Sequence, residues 1–227
     1  MGGLDGDWIW LTTVEAYNPR TNTLRSCLPL SQRRECAVAG VVGGRLVVAG
    51  GRAAGVGLTS VEAYSPTGWT PLPPLPHAAS QATACVLSGQ LYVMGGWDSN
   101  KLQVLEMSED NQFSWTVKAV LPAERWEAAS VVHEGKIWLI GGAIDWRNSD
   151  SVAIYDIEAN SWGTGPALPR AVGTGRPHAI TLNGETYVMR PDGPAWVYRN
   201  AVWLDAADMP GIPGSRRGYA LVCLGLG

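Results

Sequence analysis

Three histidines (His77, His133, His178) and four cysteines (Cys27, Cys36, Cys85, Cys223) are the side chains with the widest chemical reach in this sequence. They do not fall into a reacting pattern. No pair of cysteines has the CxxC spacing of a zinc or redox site, and His133-Glu134 lacks the following histidine of a zinc-binding helix. Gly163-Thr164-Gly165 and Gly173-Thr174-Gly175 lack the strand-to-helix context that lets backbone amides cradle a phosphate. No Gly-x-Ser-x-Gly elbow occurs, and nothing in the spacing pairs the carboxylates into an acid and a base. Neither catalysis nor a metal or other cofactor is expected. The arginines and tryptophans remain, and their chemistry is recognition: planar guanidinium forks for carboxylates and large indole faces for contact.

Composition narrows the class. Lys plus Arg is 17 and Asp plus Glu is 20, a net charge of −3, so the molecule lacks the basic field that nucleic acid or an anionic membrane demands. The 28 Gly, 15 Pro and 11 Trp with a single Phe describe short strands and many turns. No apolar run approaches the roughly 20 residues of a membrane span. The N-terminus has neither the basic nor the apolar region of a signal peptide, and Gly6 stands where a myristoylation signal has Ser or Thr. No Asn-x-Ser/Thr acceptor is present, and the cysteines, set in strand-like runs, read as buried free thiols. A soluble, cytoplasmic protein is the expectation.

The elements that must position the recognition residues repeat along the chain. Paired glycines after an apolar run recur at Gly50-Gly51, Gly95-Gly96 and Gly141-Gly142, with Gly2-Gly3 at the start and a degraded copy in Met189-Arg190-Pro191. The first glycines, at 2, 50, 95 and 141, are 48, 45 and 46 residues apart. After each pair and a loop comes a short alternating strand, at 14–17, 61–64, 104–107, 152–155 and 196–198. Then follows a position held by Trp69, Trp115, Trp162 and Trp203, with Leu24 in the first copy, and a stop at Pro29, Pro73, Pro122, Pro169 and Pro210. A further strand leads into each glycine strand, at 36–42, 81–87, 127–133, 177–183 and 218–224. Each unit is thus four short strands with tight turns, without an apolar period of 3.6 residues.

A period of 40 to 50 residues built from four strands is the signature of a β-propeller, and the glycine pair with its later Trp resembles the kelch repeat. The resemblance covers nearly the whole chain. Radially stacked sheets bury both faces of every sheet, which a lone sheet cannot do. The expected architecture is therefore one all-β domain over 1–227, with units at 31–75, 76–122, 123–169 and 170–210. A fifth blade joins 1–30 to 215–227, the C-terminal first strand pairing beside the N-terminal strands. Most of the glycine strand of that closing blade is missing from both ends, so it is either a three-stranded blade or the mark of a truncated chain. Six blades in a longer parent remain open.

The resemblance, closest to the kelch domains of kelch-like substrate adaptors, implies a non-catalytic module that binds a protein or peptide partner, itself monomeric. A sugar-binding or enzymatic propeller using the central channel is the alternative. In such adaptors the bowl is formed by the loops after the glycine pairs and those opening the innermost strands. An arginine opening the innermost strand matches Arg34 and Arg125 and, more loosely, Arg216, while the aromatic after the glycine pair matches Trp97. With their loop neighbours Arg52, Asp98, Trp126, Trp146 and Arg147, these residues make up the expected binding face. Arginine at that position also serves to tie neighbouring loops, and that structural role stands beside the binding one.

Overall fold

The computed structural model describes residues 1–97, 99–173, 176–190 and 193–206. The chain opens with an antiparallel ribbon, β1 (Val14–Asn18) and β2 (Thr23–Cys27). Four antiparallel four-stranded sheets follow, each with its strands side by side in chain order. The first holds β3 (Val38–Val42), β4 (Arg45–Ala49), β7 (Val61–Ser65) and β8 (Gly68–Leu72), with the small hairpin β5 (Arg52–Ala53) and β6 (Val56–Gly57) inserted after the glycine pair. The second holds β9 (Thr83–Leu87), β10 (Gln90–Met94), β11 (Leu102–Met107) and β12 (Phe113–Val117). The third holds β13 (Ala129–His133), β14 (Lys136–Ile140), β17 (Val152–Asp156) and β18 (Ser161–Thr164), with the hairpin β15 (Ala143–Ile144) and β16 (Arg147–Asn148). The fourth holds β19 (His178–Leu182), β20 (Glu185–Arg190), β21 (Gly193–Arg199) and β22 (Val202–Ala206).

The core lies between sheets. Val47, Val61, Leu91 and Leu105 meet between the first and second; Tyr92, Leu102, Leu139 and Tyr155 between the second and third; Val131, Trp138, Val188 and Trp196 between the third and fourth. Val14 and Leu30 pack the ribbon against Val48 of the first sheet. Two-residue periodicity makes this possible, because each strand sends alternate side chains to two faces and each face meets a neighbour. On the fourth sheet the remaining alternation, Tyr187, Met189, Ala195 and Val197, forms a second apolar cluster with Ala206. Trp69, Trp115, Trp162 and Trp203 bridge consecutive units as expected, their indole N–H groups donating to the carbonyls of Leu28, Pro73, Ala119 and Pro166.

The glycine pair is an inter-sheet staple. The second glycine donates its N–H to a carbonyl in the loop of the next unit: Gly3 to Arg34 at 2.9 Å, Gly51 to Ala79 at 2.7 Å, Gly96 to Arg125 and Gly142 to Val172, both at 2.8 Å. A Cβ on Gly50 would stand 2.5 Å from the Ala79 oxygen, and its φ of 63° is left-handed as well, so only glycine admits that approach.

The innermost strands are shorter than their apolar runs suggest. Cys36, Gln81, Glu127 and Arg176, at corresponding positions, all have φ between 53° and 57°. This left-handed residue breaks the ladder, and all four strands start two residues later, at Val38, Thr83, Ala129 and His178. The expected strand at 218–224, and with it the five-blade closure, lies outside the described residues. Of the cysteines, Cys27, Cys36 and Cys85 are free thiols; Cys36 is buried, burial pushes the Cys85 thiol up to about 12, Cys27 is half-buried against the core between the ribbon and the first sheet, and Cys223 lies outside the described residues.

Candidate functional site

The loops after the glycine pairs and those opening the innermost strands are joined by short antiparallel bridges, Glu35 to Arg52, Ser80 to Trp97 and Trp126 to Ala143. They therefore gather on one face. The innermost strands surround a cavity of about 300 Å³ with small side chains, among them Ala37, Ala39, Ala82, Ala84, Ala128 and Ser130, and its lining reaches Gln81, Glu127 and Arg176 at the heads of those strands.

The two arginines expected to reach a ligand point inward. Arg34 is 1% exposed; its guanidinium donates to the Gly50 carbonyl at 2.7 Å and the Ser60 carbonyl at 3.1 Å, and pairs with Glu62 at 2.9 Å. Arg125 is 5% exposed and repeats the arrangement sixteen and twenty-six residues on, donating to the Gly141 carbonyl at 2.9 Å, the Ser151 carbonyl at 3.0 Å and the Ser151 hydroxyl at 2.7 Å. Burial lowers Arg125 to about 10, which leaves it charged at neutral pH. Both guanidinium groups are engaged within their own unit, on the Gly50 and Gly141 carbonyls and as second donors to the Ser60 and Ser151 carbonyls, which also accept the Gly50 and Gly141 N–H groups, so in this structure they brace the loops.

Gln81, Glu127 and Arg176, read from the sequence only as strand starts and a loop residue, line the cavity. Gln81 donates its amide to Glu127 Oε1 at 3.2 Å, and Arg176 Nε lies 3.5 Å from the same oxygen. The backbone links them as well, Gln81 N–H donating to Cys36 O and Glu127 N–H to Gln81 O. Burial pushes the Cys36 thiol up, with Arg176 opposing, so it rests as a protonated thiol and not as a nucleophile. The signal in the sequence was their period, at 36, 81, 127 and 176. It was hidden because the four residue types share nothing.

The tryptophans behave differently. Trp97, Trp126 and Trp146 come from three loops of two sheets and form one cluster, with ring centroids 4.8 Å (Trp97 to Trp146), 5.4 Å (Trp97 to Trp126) and 5.5 Å (Trp126 to Trp146) apart. Planes inclined by 54° to 86° set edges against faces, the arrangement the ring quadrupoles favour. Trp97 is 37% exposed and Trp146 is 76% exposed, while Trp126 is half-buried beneath them. Trp146 and Asp145 form the two-residue turn of the β15–β16 hairpin, with φ of 64° and 49°. The same position in the β5–β6 hairpin is Gly55, at φ 79°. A type I′ turn asks for glycine there, so the indole is held outward against a backbone preference of about 1 to 2 kcal/mol.

Of the other expected residues, Arg147 is exposed on β16, next to Trp146. Arg52 is half-buried and paired with Glu35 at 2.9 Å, an oxygen that also accepts from the Trp10 indole at 3.2 Å. Asp98 and Arg216 lie outside the described residues. Trp8, in the first of the loops expected to form the bowl, is 66% exposed at φ 62° after Gly3. Among the described residues no group of three or more His, Cys, Asp or Glu could hold a metal ion, and no helix is long and apolar enough to cross a membrane.

Successive four-stranded sheets joined through glycine pairs and inter-unit tryptophans define an all-β protein of propeller-like fold. The Kelch motif family model matches residues 33–76, 78–107 and 127–169, and the chain belongs to the kelch-repeat family. Kelch-like protein 35 of Homo sapiens is 34% identical over 118 residues, 51% of this chain and 20% of that protein. Kelch-like protein 23 of Mus musculus is 25% identical over 232 residues, 94% of this chain and 39% of that protein. Kelch-like protein 33 of Homo sapiens is 33% identical over 139 residues, covering 59% and 25%. The chain thus spans about two fifths or less of the length of these relatives. Among solved structures, YjhT superposes with a TM-score of 0.72 at 11% identity, covering 89% of this chain and 78% of that one, a likeness of fold alone.

Proposed function

We propose that this chain is a non-catalytic interaction module whose loop face docks a protein partner on the cluster of Trp97, Trp126 and Trp146. The observation that carries the reading is Trp146, an exposed indole held where the turn favours glycine. Backbone strain and exposed aromatic area are both costs to a fold, and together they mark a contact surface. The similarity to kelch-like proteins supports substrate recruitment within a larger cytoplasmic adaptor of the ubiquitin-ligase type, with this chain as its recognition domain.

The same reading takes residues 1–227 as one monomeric propeller of five blades, residues 218–224 providing the innermost strand beside β1 and β2. Its support is the fourth sheet, apolar on both faces, and the ribbon, which supplies only the outer half of a blade.

Trp146→Gly tests the docking. Glycine relieves the left-handed turn while the lost ring contacts are worth about 0.5 to 1.5 kcal/mol each, so stability should stay within about 1 to 2 kcal/mol of the wild type. Proteins captured by the wild type should be lost from Trp146→Gly and from Trp97→Ala. Identical partner sets from all three would overturn the assignment.

A further inference from the structure

The docking face is neutral in detail, and this selects its partner; the argument rests on the docking reading above. At the cavity mouth Arg52 is matched by Glu35 and Arg176 by Glu127, while Arg34 is matched by Glu62 beneath it. Beside Trp146 the exposed Asp145 and Arg147 carry opposite signs. Among the described residues an acidic segment would meet a carboxylate in Glu127, guanidinium groups engaged at the mouth, and an Arg147 offset by its neighbour Asp145; a basic one would meet Arg176 and Arg147. Among these residues either would bury charge against a group already paired or offset.

Two neighbouring polar groups here are unmet, the Ser80 hydroxyl and Gln81 Oε1, and only the second is a pure acceptor. Gln81 Oε1 is buried and has no hydrogen-bond partner, although the nitrogen of the same amide is fixed on Glu127. Turning the amide over would set its oxygen against that carboxylate, so the orphan is an acceptor. Gln81 is one of the residues that line the cavity. It also adjoins the aromatic cluster: Ser80, its chain neighbour, accepts the Trp97 N–H at 2.7 Å, and Glu127 directly follows Trp126. A buried acceptor left empty is costly, and a neutral N–H or O–H satisfies it without importing charge.

We propose that the face recognises an uncharged peptide segment, an apolar side chain of which lies on Trp97 and Trp146 while a neighbouring carboxamide or hydroxyl donates to Gln81 Oε1. The acceptor and the aromatic platform then act as two adjacent subsites, one for position and one for contact area.

The test is selection from a phage-displayed library of random peptides on the whole chain. The best peptides are then labelled and measured by fluorescence polarisation against the wild type, Trp146→Gly, Gln81→Leu and Gln81→Glu, each first checked for a cooperative melt. Selected peptides should carry near-zero net charge and share an apolar residue next to Asn, Gln, Ser or Thr. Replacing that polar residue with Ala should weaken binding about tenfold in the wild type and leave Gln81→Leu unaffected, the size of one neutral hydrogen bond. Selection on Gln81→Glu should move to Lys or Arg at the same place, a switch that a merely structural glutamine would not produce. Peptides that need Trp146 but are acidic or basic, or that ignore Gln81, would overturn this inference and leave the docking reading standing. If no selected peptide depends on Trp146, the docking reading fails and this one with it.

Discussion

At the scale of single residues Arg34 and Arg125 are buried while Trp97 and Trp146 are exposed, and the roles of the two kinds can be separated by measurement. Arg125→Met would leave the Gly141 carbonyl without its side-chain donor and take the second donor from the Ser151 carbonyl, which keeps the Gly141 N–H, and should cost about 1 to 3 kcal/mol in chemical denaturation. A cost under about 1 kcal/mol would mean that the guanidinium serves something outside its own unit. His178 provides a pH test. Burial first and the positive Arg176 second hold it below its ordinary 6.5. The unfolded chain therefore takes up a proton that the folded chain refuses as the pH falls below 6.5. The stability from this group is complete above 6.5, declines below it, and levels once the folded imidazole protonates too. His178→Gln should flatten that part of the profile of urea midpoints between pH 7.5 and 5; an unchanged difference across the range would show that His178 does not couple to folding.

At the scale of elements the repeating unit is held by a tryptophan on its outermost strand and a glycine pair after its second. Trp162→Ala removes a half-buried ring that packs beside Tyr155, together with the donor to Ala119. Because the ring is only half-buried, the loss should be about 2 to 3 kcal/mol, under the 3 to 5 of a fully enclosed aromatic. Gly50→Ala should be worse than its single methyl implies, since the added carbon meets the Ala79 oxygen and the residue is left-handed. Thermal melts of the two variants check the order: a mild Gly50→Ala would mean that the inter-sheet approach yields easily.

At the scale of the molecule the open question is closure. If residues 218–224 complete the blade that the β1–β2 ribbon begins, a chain ending at Pro210 loses the cover on two apolar faces and should aggregate. Size-exclusion chromatography with a denaturation curve decides it. A monomeric, cooperatively folding truncation would show that the described sheets stand without that strand.

Period alone determined the architecture from the sequence. Glycine pairs, tryptophans and prolines recur at near-constant steps because each answers a local requirement that every unit shares, and local requirements leave local marks. Hence the four sheets and the bridging Trp69, Trp115, Trp162 and Trp203 were legible. The binding face was only partly so. Trp97, Trp126 and Trp146 could be named as loop aromatics, but their meeting depends on two sheets coming side by side, and no spacing along the chain encodes that distance. Arg34 and Arg125 were conspicuous for the opposite reason: a residue repeated in register serves the scaffold, and only burial revealed which way the fork points. Cys36, Gln81, Glu127 and Arg176 share a backbone conformation and no chemistry, so the convergence of Gln81, Glu127 and Arg176 on the cavity became visible only in the fold.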